Sequence, residues 1–441
     1  MQIFVLASFA IVSLISVFGG STIITLIPDL VGAAALVAVG VGLLKQRSVS
    51  IDPKYILYFS VLAMLVVVGW AINQVPSGAM ASGVRFYAKG FFFFLIPIVY
   101  KFSDKEIRQQ LLLLLVIGLI QLPVAVIQRF VLYLGGVTGD VVTGTLGRGS
   151  AGLLATLLCL QIAMLTAFYV KGRMRPALYF SLMFVLFVTT TIGENKAVVV
   201  FFPLALILPY VFSGAWKKQK AQVISISAGL VVALVVFAVM YNFTNVSMVK
   251  HIEEGTGKGK SISEFVDSKT LLNYLAPKYM GTTREKPGRL DKIVFSLDAI
   301  AEDPVTFFVG FGVGSIANSP LGESFSGEHA TEGEQYAKSV VVAAILLETG
   351  IIGLTMAIVL LWMVYRDASY LSRSANLVGA VALGWRVCIV LIGLAMLYVG
   401  LIGRESSYFL IAYFMGFVVA EHARERRRCR ESLGEKRATS A

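Results

Sequence analysis

Val340-Val-Val-Ala-Ala-Ile-Leu-Leu-Glu348-Thr-Gly-Ile-Ile-Gly-Leu-Thr-Met-Ala-Ile-Val-Leu-Leu-Trp-Met-Val364 is a run of 25 residues with one ionisable side chain. A helix rises 1.5 Å per residue, so about twenty apolar residues cross a hydrocarbon core of about 30 Å. This run is long enough, and it has company. Further apolar runs occupy Met1–Phe18, Ile23–Leu44, Tyr55–Ile72, Phe86–Tyr100, Leu111–Leu134, Ala151–Val170, Ala177–Ile192, Ala197–Phe212, Val223–Phe243, Leu377–Ile402 and Tyr408–Ala420. With 57% hydrophobic and 15% charged residues, the chain is too apolar for a soluble globule. The expected fold is all-α: a polytopic integral membrane protein with about 12 transmembrane helices and one large external loop containing short helices.

That loop is the mostly polar segment Thr244–Lys338, between the ninth and tenth spans. The chain divides accordingly into spans 1–9 (residues 1–243), an extracytoplasmic loop (244–338), spans 10–12 (339–421) and a basic tail (422–441). Lys and Arg in short loops mark the cytoplasmic side. They follow the even-numbered spans: Lys45, Arg47 and Lys54; Lys101, Lys105 and Arg108; Lys171, Arg173 and Arg175; Lys217, Lys218 and Lys220; Arg366 and Arg373. With Arg424, Arg426, Arg427, Arg428 and Arg430 after the last span, both termini are expected inside and the polar loop outside. This pattern accounts for most of the net charge of +12, so nucleic acid is not an expected partner; anionic membrane lipid is. Cys159 and Cys388 lie in spans and Cys429 in the tail, which gives neither an external disulfide nor a zinc spacing.

Charges near hydrocarbon are costly unless they find a partner or a ligand. Four places at the outer ends of spans carry them: Gln128-Arg129; Arg148 in Thr145-Leu-Gly-Arg-Gly-Ser150; Glu194 and Lys196 in the tight turn Ile192-Gly-Glu-Asn-Lys196; and Arg404-Glu405. Snorkelling to the interface is the bland explanation for each. Arg129 lies about a turn inside its span and is the most costly. The Glu194/Lys196 turn joins two short arms, so it is expected below the membrane surface, as an ion pair or with Lys196 on a phosphate and Glu194 as proton acceptor.

Within the loop, Leu290, Ile293, Val294, Leu297 and Ile300 recur at helical spacing, which predicts an amphipathic helix on the membrane surface. Asp303-Pro304 stops it, and Gly310-Phe-Gly312-Val-Gly314-Ser315 follows. Without a βαβ unit around it, this glycine run is read as a close backbone turn, able to present N–H groups to an anion, rather than as a nucleotide loop.

Arg289 opening a short amphipathic helix, then Asp-Pro, Gly-x-Gly-x-Gly-Ser and a span reaching Leu347-Glu348-Thr-Gly350-Ile-Ile-Gly353, resembles the O-antigen ligase and polymerase superfamily. Leu146-Gly-Arg148-Gly before the sixth span, the Glu194-Asn-Lys196 turn and the late external loop are similar too. The resemblance implies a membrane glycosyltransferase on the outer face of the bacterial inner membrane. Such an enzyme passes glycan from undecaprenyl diphosphate to a sugar hydroxyl, with no cofactor and no metal, alongside a glycan acceptor and a chain-length regulator or flippase partner. It also implies diphosphate binding by Arg148, Lys196 and Arg289, to which Arg129, about a turn inside its span, adds a fourth cation. The sequence departs where ligases carry a His-Asn pair before the glutamate, having Ser339-Val340 instead. Polymerase-like activity is therefore favoured, with His329, in the mobile-looking stretch Gly327-Glu-His-Ala330, or Glu194 or Glu332 as the base. A carrier-lipid transporter or a non-catalytic assembly subunit is the alternative reading.

Overall fold

The computed structural model describes residues 27–45, 49–132, 142–146, 150–193, 197–217, scattered positions in 224–239, 288–319, 322–337, 340–401 and 405–439. Among these, all regular structure is helical. We number the helices α1 (Ile27–Lys45), α2 (Pro53–Asn73), α3 (Ser77–Val99), α4 (Asp104–Ile127), α5 (Ala151–Val170), α6 (Pro176–Ile192), α7 (Val198–Ser213), α8 (Arg289–Ala301), α9 (Pro304–Val309), α10 (Val341–Leu371), α11 (Leu377–Met396) and α12 (Glu405–Thr439). Six of them, α2 to α5 with α10 and α11, are long and apolar enough to cross a membrane; α6 and α7 are apolar but shorter. The first predicted span, most of the ninth, and residues 244–287 of the polar loop lie outside the described residues.

Polar caps set where several helices begin. Asp52 accepts from Lys54 N–H with Pro53 in the first turn of α2, and Asn376 accepts from Gly379 N–H at α11. Ser103 and Glu106 form a reciprocal capping box, so α4 starts at Asp104 rather than at the apolar boundary Leu111. Similarly α3 starts at Ser77 rather than Phe86. Its small residues Gly78 and Gly83 sit so close to the backbone of Ser324 and Gly314 that a Cβ would clash. α12 continues from the last span through the basic tail to Thr439.

At the centre stands α5, 83% of whose most apolar stretch is buried, against α6, α7 and α11. α3 packs along α12 through the stacked rings of Phe93 and Phe409, with centroids 4.3 Å apart. By contrast α2 and α4 are only 22% buried and expose Leu57, Met64, Leu112 and Ile120. Apolar side chains turned outward over the length of a helix are stable in lipid and not in water.

The basic loops gather at one end. Lys54 Nζ and Tyr55 Oη reach Asp367 at 2.5 and 2.8 Å, and Arg426 pairs with Asp52 at 2.9 Å. Lys171 donates to the carbonyls of Ser372 and Ser374, Arg173 to Ala375, and Arg424 to Pro97 and Tyr100. The loops predicted to share one side of the membrane are thus tied to one another by hydrogen bonds.

His422 belongs to this end, two residues beyond the apolar run of α12, with Nδ1 3.4 Å from Asp367. Burial, the largest influence, pulls its imidazole below the ordinary value; Lys54 and Arg426 act in the same sense, while Asp367 and Asp52 oppose. The neutral ring is therefore the native form. As pH falls through the ordinary histidine value of about 6.5, the unfolded chain takes up a proton that the folded chain resists, so stability falls with pH in that window. Thermal scans in detergent are expected to show the midpoint dropping between about pH 7 and about pH 5, with a shallower drop in His422→Gln.

At the other end α10 is kinked at Gly350, whose φ of 61° is not helical. The glycine run enters there: Phe311 N–H donates to Leu347 O at 2.7 Å, and Gly310 lies against the Glu348–Gly350 backbone. Gly310, Gly312 and Gly314 have φ of 70°, 90° and 93°, a region that side chains disfavour. The run is a close backbone turn, as its isolation from any strand implies. α8 turns Ile293, Leu297 and Ile300 onto α10 and leaves Leu290 and Val294 exposed. The expected membrane-surface helix is thus half docked on the bundle, because its apolar stripe is wider than one contact face.

Candidate functional site

α4 ends in a π turn, Gln128–Leu132, and Arg129 in that turn is only 4% exposed. Extra-residue turns of this kind re-aim a side chain at the end of a helix. Two glutamines seven residues apart, Gln121 on α4 and Gln128 in the π turn, hold the facing loop. Gln128 Oε1 accepts from the N–H groups of Thr143 and Gly144 at 3.0 and 2.8 Å, and its amide donates to Gly144 O. Gln121 accepts from Thr145 N–H at 2.8 Å and donates to Thr145 Oγ1 at 2.9 Å. Val142 of that loop packs with Ala125 and Ile192. The C-terminus of α4, the loop before the sixth span and the end of α6 therefore meet beside Arg129.

Arg148, Glu194 and Lys196 lie outside the described residues, as do Arg404 and the Glu405 side chain. Their described neighbours, Leu146 and Ser150 on one side and Gly193 and Ala197 on the other, all belong to this end of the bundle.

Arg289 opens α8 with its guanidinium 4.5 Å above the ring of Tyr398, just past α11. Such a contact orients a cation over an aromatic face. His329 is not in a loose stretch. Its ring stacks on Phe311 with centroids 4.2 Å apart, and its backbone N–H donates to Ser315 O at 2.9 Å. The Phe311 ring and the glycine-run backbone order it, which composition alone did not reveal. The buried Ser315 hydroxyl beside it has no hydrogen-bonding partner among the described residues.

Glu348 bonds a neighbouring helix, one of the roles open to a carboxyl group within a span. It is 5% exposed, accepts from Tyr87 Oη on α3 at 2.5 Å, and accepts from Gly314 N–H at 2.9 Å. The acceptor presented to the glycine-run backbone is thus the chain's own carboxyl group. Glu348→Gln keeps an acceptor for at least one donor, whereas Glu348→Leu strands both, at about 1–3 kcal/mol each. We expect Glu348→Leu, and not Glu348→Gln, to lower the yield of folded protein on size-exclusion chromatography in detergent.

Two cations escaped the reading of the outer ends. Arg85 and Lys89 sit one turn apart on α3, and both face Asp29 on α1, with Lys89 Nζ at 2.9 Å and Arg85 Nε at 3.6 Å. The signal was present: cations four residues apart in an apolar helix share a face and are rare in a span. Lys89 is nearly buried, its stem lying on Gly32. Among the described residues no cluster of three His, Cys, Asp or Glu side chains offers a metal site.

Fold and site together define an all-helical membrane protein whose basic loops meet at one end and whose glycine run and Arg129, Arg289 and His329 lie at the other. A scan against protein-family models finds no match to the chain, and a search of curated proteins finds none.

Proposed function

We propose that this protein is a membrane glycosyltransferase of the O-antigen polymerase and ligase type, extending a surface polysaccharide from undecaprenyl-diphosphate-linked glycan. The basic end faces the cytoplasm of a bacterial inner membrane, and the end bearing Arg129 faces out. The observation that carries the reading is the buried Arg129, beside the loop that leads to Arg148 and the end of α6 that leads to Lys196. A buried arginine at the membrane surface suits a phosphate, which it can grip in two places.

In the proposed reaction the acceptor hydroxyl oxygen bonds to the anomeric carbon as the bond from that carbon to the diphosphate oxygen breaks. The electron pair leaves on the diphosphate, where Arg129, Arg148, Lys196 and Arg289 stabilise it. The hydroxyl proton passes to a base, His329 or Glu194. The Asp29–Lys89 pair favours a second reading, a carrier-lipid transporter with charges along its path.

Single Arg129→Ala and Arg289→Ala variants, checked for membrane insertion, separate these in cells. Loss of long chains with accumulation of single carrier-linked repeats supports a polymerase, and long carrier-linked chains without acceptor support a ligase. Unchanged surface glycan in both variants overturns the transferase.

A further inference from the structure

A groove runs along α5 between α4 and α12, lined by Leu153, Leu157 and Met164 of α5, Leu115 of α4, and Ile411 and Phe414 of α12. From Leu153 to Phe168 it follows about fifteen residues of α5, or about 22 Å at 1.5 Å per residue. That is most of the hydrocarbon thickness, and it suits an extended chain rather than a compact ligand.

Most of its polar side chains bond within the protein: Thr156 donates to Gly152 O, Ser407 to Leu401 O, and the Gln161 amide to Leu114 O, while Gln161 Oε1 and Trp385 Nε1 have no hydrogen-bonding partner among the described residues. The rest of the lining is mostly hydrocarbon, from leucines of α4 and α5 and from Ile411 and Phe414. Among the described residues its one charged lining residue is the exposed Arg108, on the first turns of α4, where the basic loops gather. Met174 lines the same mouth, flanked in sequence by Arg173 and Arg175. Among the described residues the lining charge sits at one mouth, at the end opposite Arg129.

We propose that this groove binds one acyl chain of an anionic phospholipid, with the lipid phosphate at Arg108 in the leaflet on the basic side. The polarity of the groove separates this lipid from any carrier whose diphosphate would be held at the Arg129 end. The site stands on the groove and its charge, and does not depend on which reaction the protein performs. A lipid held there fills the space between α4 and α12, two helices that touch near Gln110 and Tyr413.

The test uses the full chain in mild detergent, following its thermal midpoint as phosphatidylglycerol, phosphatidylcholine or a polyprenyl phosphate is added. Phosphatidylglycerol is expected to raise the midpoint and phosphatidylcholine is not. Arg108→Gln, at an exposed position, is expected to need about fivefold more phosphatidylglycerol for the same rise, the effect of one cation near a charged headgroup. Ile411→Trp, which fills the groove, is expected to abolish the rise while its lipid-free midpoint stays near that of the parent. Equal responses to the two phospholipids, no response at all, a response to the polyprenyl phosphate alone, or an unaltered response in Arg108→Gln would each overturn the proposal.

Discussion

Arg129→Ala is expected to reduce glycan extension by about two orders of magnitude or more, the usual cost of removing one group that stabilises charge on a departing oxyanion. Arg129→Lys should recover part of the activity, since it restores a point charge without the two-pronged grip. The pair of variants separates chemistry from folding. Arg129 is 4% exposed, so alanine leaves a void at the π turn and lysine largely fills it. Extension rate per folded molecule, with folding read by gel filtration, is the measurement. If both variants fold and extend glycan at the parental rate, Arg129 is structural.

Gly314→Ala is expected to be the most damaging small substitution in the described chain. Its φ of 93° disfavours a side chain, and an added Cβ would collide with the backbone of Ala79 and Met80 on α3. Helix backbone cannot give way as a flexible side chain can, so strain and overpacking add to about 2–5 kcal/mol. The displaced loop would also pull Gly314 N–H from Glu348 and shift Ser315, on which His329 hangs. Little folded protein is expected on gel filtration. By contrast Gly172→Ala, also at positive φ but with open space around it, should lose only the local strain.

The spans that were legible from sequence are those in which hydrophobicity alone sets the ends. Ala151–Val170 is the helix α5 residue for residue, and the short arms Ala177–Ile192 and Ala197–Phe212 match α6 and α7 to within a residue at each end. Where polar or small residues extend a helix past the hydrocarbon, the apolar run stops short. Ser77–Arg85 of α3 is helical because its glycines let the loop at 310–327 come close, a tertiary reason that no window on the sequence can weigh. The Ser103/Glu106 capping box was visible, and a hydropathy reading passed over it.

The candidate site was legible in part. Its cations announced themselves as charges beside hydrocarbon, Arg129 most of all, and Glu348 as a carboxyl group within a span. What holds them did not. Gln121 and Gln128 are uncharged, and the backbone groups they bond lie some twenty residues away in the chain. His329 lies among small and charged residues that read as loose loop, and its order comes from Phe311, eighteen positions earlier. Long-range partners of this kind are set by packing, which periodicity does not encode.

The central claim is transfer of carrier-linked glycan, and purified protein tests it most directly. The full chain, reconstituted in vesicles with an undecaprenyl-diphosphate-linked repeat unit from the polysaccharide of its own cell, is followed by gel and mass spectrometry of the lipid extract. The account predicts carrier-linked products longer by whole repeats, with release of undecaprenyl diphosphate and no such products from the Arg129→Ala protein. Folded parent protein that leaves the repeat unit unextended, or only moves it across the bilayer, would contradict the account.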